Sequence, residues 1–270
     1  MHPIERLRYV ARIEGADPAV LAREAAKALA EVAEVEPAGI LPACRRLIER
    51  HPSSGPLWWL SARVLAPGDP SSSAALAAAE LDDDPTATHL AGELPDDATV
   101  LVVGWPDVVA EALRRRGDLE VLVVDGGGEG AALARRLADA GQEASVVPDA
   151  GVGSASASAD LVLVEALSAG PSGVLATPGS RAAAAVALHA GVAVWGVAGV
   201  GRVLPSSLWA AALSCLDETG LEPWERRSEL VPADLFCALA GPGGVVSEVG
   251  VALQATTCEA LPALLREPGD

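Results

Sequence analysis

Three acidic side chains and a run of glycines are the groups in this chain whose types and spacing could do chemistry. Asp125, Asp149 and Glu165 stand at the ends of three short apolar runs, over residues 121–124, 144–147 and 161–164. Carboxylates brought together in this way raise one another's pKa and can share acid–base work. Asp149 and Glu165 are therefore candidate catalytic groups, with solvated loop acids as the commoner, plainer reading. Gly126-Gly127-Gly128 follows Asp125, and Gly126, Gly128 and Ala131 fit G-x-G-x-x-A between a strand and a helix. In that pattern glycines let the backbone approach a pyrophosphate, and Asp149 would take the ribose. Two features weaken the match: Pro148 separates the acid from its strand, and this strand–helix–strand unit is the second of its sheet. The turn also contains no Lys, Arg, Ser or Thr.

These groups need a sheet to hold them. Short β-type runs over 100–103, 121–124, 144–147, 161–164 and 192–197 alternate with helical patterns over 108–116, 129–140 and 180–189. Apolar strands alternating with helices specify a parallel sheet covered on both faces. Ligands of such sheets bind beyond the carboxyl ends of the strands. The candidate binding residues are therefore Gly104 and Trp105, Asp125 to Gly128 (with Gly127), and Gly179, Ser180 and Arg181. Gly126–Gly128 and Gly179-Ser180 each open a helix, whose free N–H groups suit an anion. Residues 154–159, SASASA, read as a flexible loop, and 230–265 as one short strand and one or two helices.

The first part of the chain reads as helices only. Asp17-Pro18 is a cap followed by a proline at the first helical position, and Val20, Leu21, Ala25, Leu29 and Val32 recur at helical spacing. Ile40 to Ile48 and Leu57 to Leu60 mark two more helices. Trp58 and Trp59 cannot share one helix face, so one is expected against the second part of the chain or a partner. Five aspartates and two prolines between Leu81 and Asp97 read as a linker. The expected organisation is a helical domain over 1–85, a linker over 86–98 and a Rossmann-like α/β domain over 99–270.

Composition narrows the function further. The 270 residues carry 37 acidic against 19 basic side chains, a net charge of −18, which disfavours direct nucleic-acid binding. Arg114-Arg115-Arg116 ends a helix and complements its dipole. No apolar run reaches the length of a membrane span, and the charged N-terminus lacks a signal region, so the expected location is cytoplasmic. Cys44, Cys215, Cys237 and Cys258 form no metal-ligand pattern and read as reduced, mostly buried thiols. The histidines (His2, His51, His89, His189) are scattered, with His189 at a helix end. No metal and no cofactor is expected. No G-x-S-x-G elbow is present.

Four segments, in order, resemble a known family. Arg50-His51-Pro52-Ser53-Ser54 with Leu57 and Trp58 looks like its Arg-Pro-Thr segment, and Val147-Pro148-Asp149-Ala150-Gly151-Val152-Gly153 like its Ile-Pro-Asp-x-Ala-Val-Gly. Asp160 to Ala166 is similar to its Asp-x-Val-Leu-Val-Gly-Ala-Asp strand, and Glu229 to Leu235 to its Val-Thr-Pro-Pro-Glu-Leu. The family comprises the alpha, beta and delta subunits of eukaryotic initiation factor 2B, methylthioribose-1-phosphate isomerase and ribose-1,5-bisphosphate isomerase. The resemblance implies a helical domain followed by a Rossmann-like domain, a homodimer and a small phosphorylated metabolite as ligand.

It also implies where function has been lost. The isomerases' catalytic Cys would follow the first sheet strand, where this chain has Val103-Gly104-Trp105-Pro106, and their Asp would stand at Leu167 after Val164-Glu165-Ala166. Their Arg-Gly-Ala becomes Glu14-Gly15-Ala16, their Arg-Pro becomes Gly126-Gly127-Gly128, and their Asn-Lys-x-Gly-Thr becomes Ala176-Thr177-Pro178-Gly179-Ser180. Arg181 and Arg202 are the nearby cations. The leading expectation is a non-catalytic ligand- or partner-binding protein, with Trp195, Trp209 and Trp224 as candidates for a dimer face. The alternatives are an aldose–ketose isomerase using Asp149 or Glu165 as base, and a nucleotide enzyme using the glycine turn.

Overall fold

The structure, a computed structural model, describes residues 18–217, 220–259 and 261–265. Asp17, the Glu14-Gly15-Ala16 segment and His2 lie outside the described residues.

The chain opens with helices α1 (Pro18–Val35), α2 (Ile40–Arg50), α3 (Gly55–Leu65) and α4 (Pro70–Asp82). α1 buries Leu21, Ala25, Leu29 and Val32 along one stripe, as their spacing dictates. α4 starts where the Asp69 carboxylate accepts from Ser72 N at 2.9 Å with Pro70 at the first position. α1 and α4 run antiparallel: Arg23 meets Asp82 at 3.0 Å at one end, and Ser71 meets Glu34 at 3.4 Å at the other. α3 is mostly apolar because most of it is enclosed; Leu57, Trp58, Trp59 and Leu60 are all buried. The two indoles point apart, as expected. Trp58 Nε1 donates to Pro52 O, and Trp59 Nε1 donates to Thr257 Oγ1, each at 2.9 Å.

α5 (Thr86–Glu93) follows, within the stretch expected as a linker. Its Leu90, with Leu94 and Ala98 beyond it, joins the core of the α/β part. One aspartate of that stretch holds this helix in place: Asp84 Oδ1 accepts from Thr86 N at 2.9 Å.

The α/β part contains β1 (Thr99–Val103), α6 (Asp107–Leu113), β2 (Glu120–Val124), α7 (Gly130–Asp139), β3 (Glu143–Val147), α8 (Val152–Ser158), β4 (Leu161–Glu165), β5 (Ser168–Gly170), β6 (Gly173–Ala176), α9 (Ser180–Ala190), β7 (Ala193–Val197), α10 (Ser206–Asp217), β8 (Glu229–Pro232), β9 (Ala238–Gly241), β10 (Gly244–Val246), α11 (Val249–Ala252) and α12 (Pro262–Leu265). Seven strands form one sheet in the order β10-β9-β7-β4-β1-β2-β3, parallel except for β10. Alternate residues of each strand feed opposite layers. Val100, Val102, Val121 and Val123 pack with α5, α6 and α7 on one face. Leu101, Val103, Val162 and Val164 pack on the other, with α8, α9 and α11. The sheet is therefore covered on both sides, as the continuous apolar strands require.

Each of the five expected strands is present to within one residue at either end. The structure corrects other expectations. Residues 154–159 are not a loop: α8 spans Val152–Ser158, with Ser156 Oγ and Ser158 Oγ donating back to the carbonyls of Val152 and Ser154. β5, β6 and β8 form a second, three-stranded antiparallel sheet, and the last section carries three strands rather than one. Of the three C-terminal tryptophans, Trp209 is buried with its Nε1 on Ser172 Oγ at 2.9 Å, and Trp195 is half-buried. Trp224 alone of the three is open, at 81% exposure. All four cysteines are free, but only Cys44 is fully buried, and Cys237 is exposed. Burial pushes the Cys44 thiol up to about 12. The Arg114–Arg116 run is structural. Arg116 binds the carbonyls of Ala91 and Leu94 and pairs with Asp96 and Asp118, which holds the Asp118 carboxyl well below the usual carboxylate range.

Candidate functional site

The strand order reverses between β1 and β4, since the chain leaves β1 toward β2 and returns at β4. A crevice therefore opens at the carboxyl ends of these strands, the general ligand position of a doubly wound sheet. The loops after β1, β2 and β6 meet there. Gly104 has φ +66° and donates its N–H to Val124 O at 2.9 Å. A Cβ on Gly126 would stand 2.8 Å from Gly104 Cα, and one on Gly104 would stand 3.2 Å from Thr177 Cγ2. Gly126, Gly127 and Gly128 all have positive φ. The three glycines thus make a left-handed turn that only glycine adopts without strain. Gly179, at φ +97°, closes the group against Val103.

Gly104, Gly126 and Gly179 are therefore brought together, as the sequence suggests. Trp105 is not turned into the crevice: the Arg136 guanidinium of α7 lies over its ring at 5.7 Å, and its indole packs with the α6–α7 layer. The Arg181 side chain is exposed, and its backbone N–H is what meets an acid.

The acids show the most consistent pattern. Asp149 Oδ1 accepts from Gly126 N at 2.8 Å, and Asp125 Oδ1 accepts from Ala131 N at 3.2 Å in the first turn of α7. Glu229 Oε1 accepts from Arg181 N at 2.9 Å in the first turn of α9. Glu165 Oε2 accepts from Val109 N at 2.9 Å in the first turn of α6. Each of α6, α7 and α9 thus has one first-turn donor, and its positive dipole end, met by a carboxylate of the same chain. Asp125 and Asp149 both attend the glycine turn, while Glu165 is directed elsewhere.

Glu165 is also one half of a buried ion pair. Arg202 Nη2 lies 2.9 Å from Glu165 Oε1, the two side chains being 1% and 7% exposed, and Arg202 Nη1 donates to Ala166 O. The helical part helps to enclose this pair. Gly55 N donates to Leu167 O at 2.9 Å, and a Cβ at Gly55 would reach within 2.9 Å of Arg202 Cα. By sequence Arg202 is one of the cations near the site; in the fold Glu165, 37 residues away and on a strand end, consumes it. Among the described residues, no cluster of three or more His, Cys, Asp or Glu side chains could hold a metal ion, and no helix is long and apolar enough to cross a membrane.

The fold and crevice define the class: a doubly wound α/β protein with an N-terminal helical part packed over the carboxyl edge of its sheet. The particular version is that of the initiation factor 2B subunits and methylthioribose-1-phosphate isomerase. The Pyrococcus horikoshii translation initiation factor eIF-2B superposes with a TM-score of 0.76 at 18% identity, covering 91% of this chain and 97% of that one. An eIF2B chain from the tetrameric beta2-delta2 complex of Chaetomium thermophilum gives 0.66 at 16% identity, over 94% and 92%. The 5-methylthioribose 1-phosphate isomerase of P. horikoshii gives 0.64 at 15% identity, over 93% and 86%. No family model and no curated protein matches the sequence.

Proposed function

We propose that the protein is a non-catalytic relative of the sugar-phosphate isomerases and initiation factor 2B subunits, acting by binding a ligand or partner. One observation carries this reading: four backbone N–H groups at the crevice, those of Val109, Gly126, Ala131 and Arg181, are already bonded to Glu165, Asp149, Asp125 and Glu229. A phosphate dianion placed there would compete with these acids for donors and be repelled by them. At about 4 Å and an effective dielectric of about 20, each full charge pair costs about 4 kcal/mol. The cation that could offset this, Arg202, is spent on Glu165.

The same geometry argues against the two enzymatic alternatives. As an isomerase base, Glu165 would have to leave both Arg202 and the N-terminus of α6. As a base or a ribose ligand, Asp149 would act with one of its two oxygens already held by Gly126 N. We further place the protein in the cytoplasm as a homodimer. The tetrameric assembly of the C. thermophilum subunits supports self-association, and so do the open side chains of Leu221 and Trp224.

The test is turnover and thermal stabilisation with 5-methylthioribose 1-phosphate, ribose 1,5-bisphosphate, AMP and NAD. The expected result is no conversion and no shift in Tm at millimolar ligand. Conversion of either sugar phosphate, lost on Asp149→Asn, would establish the isomerase instead. Stabilisation by NAD, lost on Gly128→Asp, would establish the nucleotide enzyme.

A further inference from the structure

Past the carboxyl ends of β7 and β9, and sharing no residue with the crevice, lies a cavity of about 710 Å³. That is within the range of about 300–1,000 Å³ that small-molecule sites occupy. One wall is α4, through Leu76 and Ala79; the others are Val200 and Val203 after β7, Val246 of β10 and Val251 of α11. Three of these side chains stand open to solvent, with Leu76 at 59% and Val251 at 71% exposure and Val246 also exposed. Isolated exposed apolar residues need no explanation, but several converging on one concave site do.

The charged groups of the lining are all of one sign. Glu80, Asp83 and Glu248 face the cavity, and no Lys or Arg does. Glu80 is held by Arg63 at 2.5 Å from the neighbouring turn of α3. Asp83 and Glu248 meet no basic side chain across the cavity among the described residues. Both residues are exposed, so their pull is partly screened by solvent, and together they give the opening of the cavity a negative sign.

We propose that this groove binds a small organic cation, its apolar body against Leu76, Val246 and Val251 and its charge toward Asp83 and Glu248. The proposal deepens the reading of the protein as a binder and rests on it for its role. Its test involves no turnover, so either can fail alone.

The full-length protein is titrated with berberine, a flat cationic fluorophore that brightens in apolar surroundings. Anionic 8-anilinonaphthalene-1-sulfonate and neutral N-phenyl-1-naphthylamine serve as counterparts. The expected result is saturable one-to-one binding of berberine, weakened about tenfold by Val251→Arg and severalfold by Asp83→Asn with Glu248→Gln. Glu143→Gln, on the far edge of the sheet, leaves it unchanged. Val251 is mostly exposed, so the arginine should not disturb packing. If circular dichroism shows that it does, Leu76→Arg on the outer face of α4 gives the same reading. Equal binding of the anionic or neutral dye, or binding indifferent to both arginine variants, would overturn the proposal. So would an affinity that falls as protein concentration rises, because a second copy of the chain would then be the occupant.

Discussion

The crevice at β1, β2 and β4 and the groove at β7 and β9 lie along the same edge of one sheet, and they are finished in opposite ways. At the crevice one first-turn donor of each of α6, α7 and α9 is bonded to an acid, two of them brought from distant strands, and the buried Arg202 guanidinium is neutralised. At the groove the wall is largely of apolar side chains that no described residue covers. The contrast teaches that the general ligand position of a fold is not always its open one. A ligand entering a site whose donors are already engaged must displace hydrogen bonds that exist.

This contrast can be attacked at the crevice. The largest effect is expected from Arg202→Met, which leaves the Glu165 carboxylate buried without its partner. Urea denaturation should show a loss of about 3–5 kcal/mol, and adding Glu165→Gln should restore part of it. No loss would mean that the pair does not seal the site. Next comes the glycine turn. Gly126→Ala combines a left-handed backbone with a Cβ driven into Gly104, and should cost on the order of 3 kcal/mol in the same assay. Gly127→Ala shares the backbone strain, at φ +82°, but points into open space, and should cost about 1 kcal/mol. Equal costs would show that the loops are not pressed together. The smallest effect sharpens the comparison directly. Asp149→Ala with Glu229→Ala removes the two carboxylates that occupy the donors of Gly126, in the glycine turn, and Arg181, in the first turn of α9. Inorganic phosphate should then raise Tm by a few degrees where the parent protein shows no response, as the helix termini become available. A variant that remains indifferent to phosphate would place the block elsewhere.

The parts of this molecule that repeat were readable from its residues, and the parts made by distant contacts were not. β1 to β4 and β7 announce themselves through runs such as Val100-Leu101-Val102-Val103, buried on both faces. β5 and β6 did not, because Ser168-Ala169-Gly170 and Gly173–Ala176 are short, glycine-bounded and without alternation. α8 was missed because Val152–Ser158 is built of small residues with no apolar stripe. At the site, the meeting of Gly104, Gly126 and Gly179 followed from their places at strand ends. The caps did not, since the acids lie 23, 48 and 56 residues from the donors they reach at Gly126, Arg181 and Val109. The groove draws its wall from segments as far apart as Leu76 and Val251, and no local pattern encodes it.

Asp84 joins what a biochemist would be tempted to cut apart. One of its oxygens holds Thr86, the other accepts from Val200 N at 2.8 Å, and the absence of a side chain at Gly199 makes room for it. With Trp59 laid against Gly201 and Gly55 against Arg202, this carboxylate acts as a rivet. Severed fragments would each expose a raw surface, and neither half should be expected to survive as an independent soluble piece.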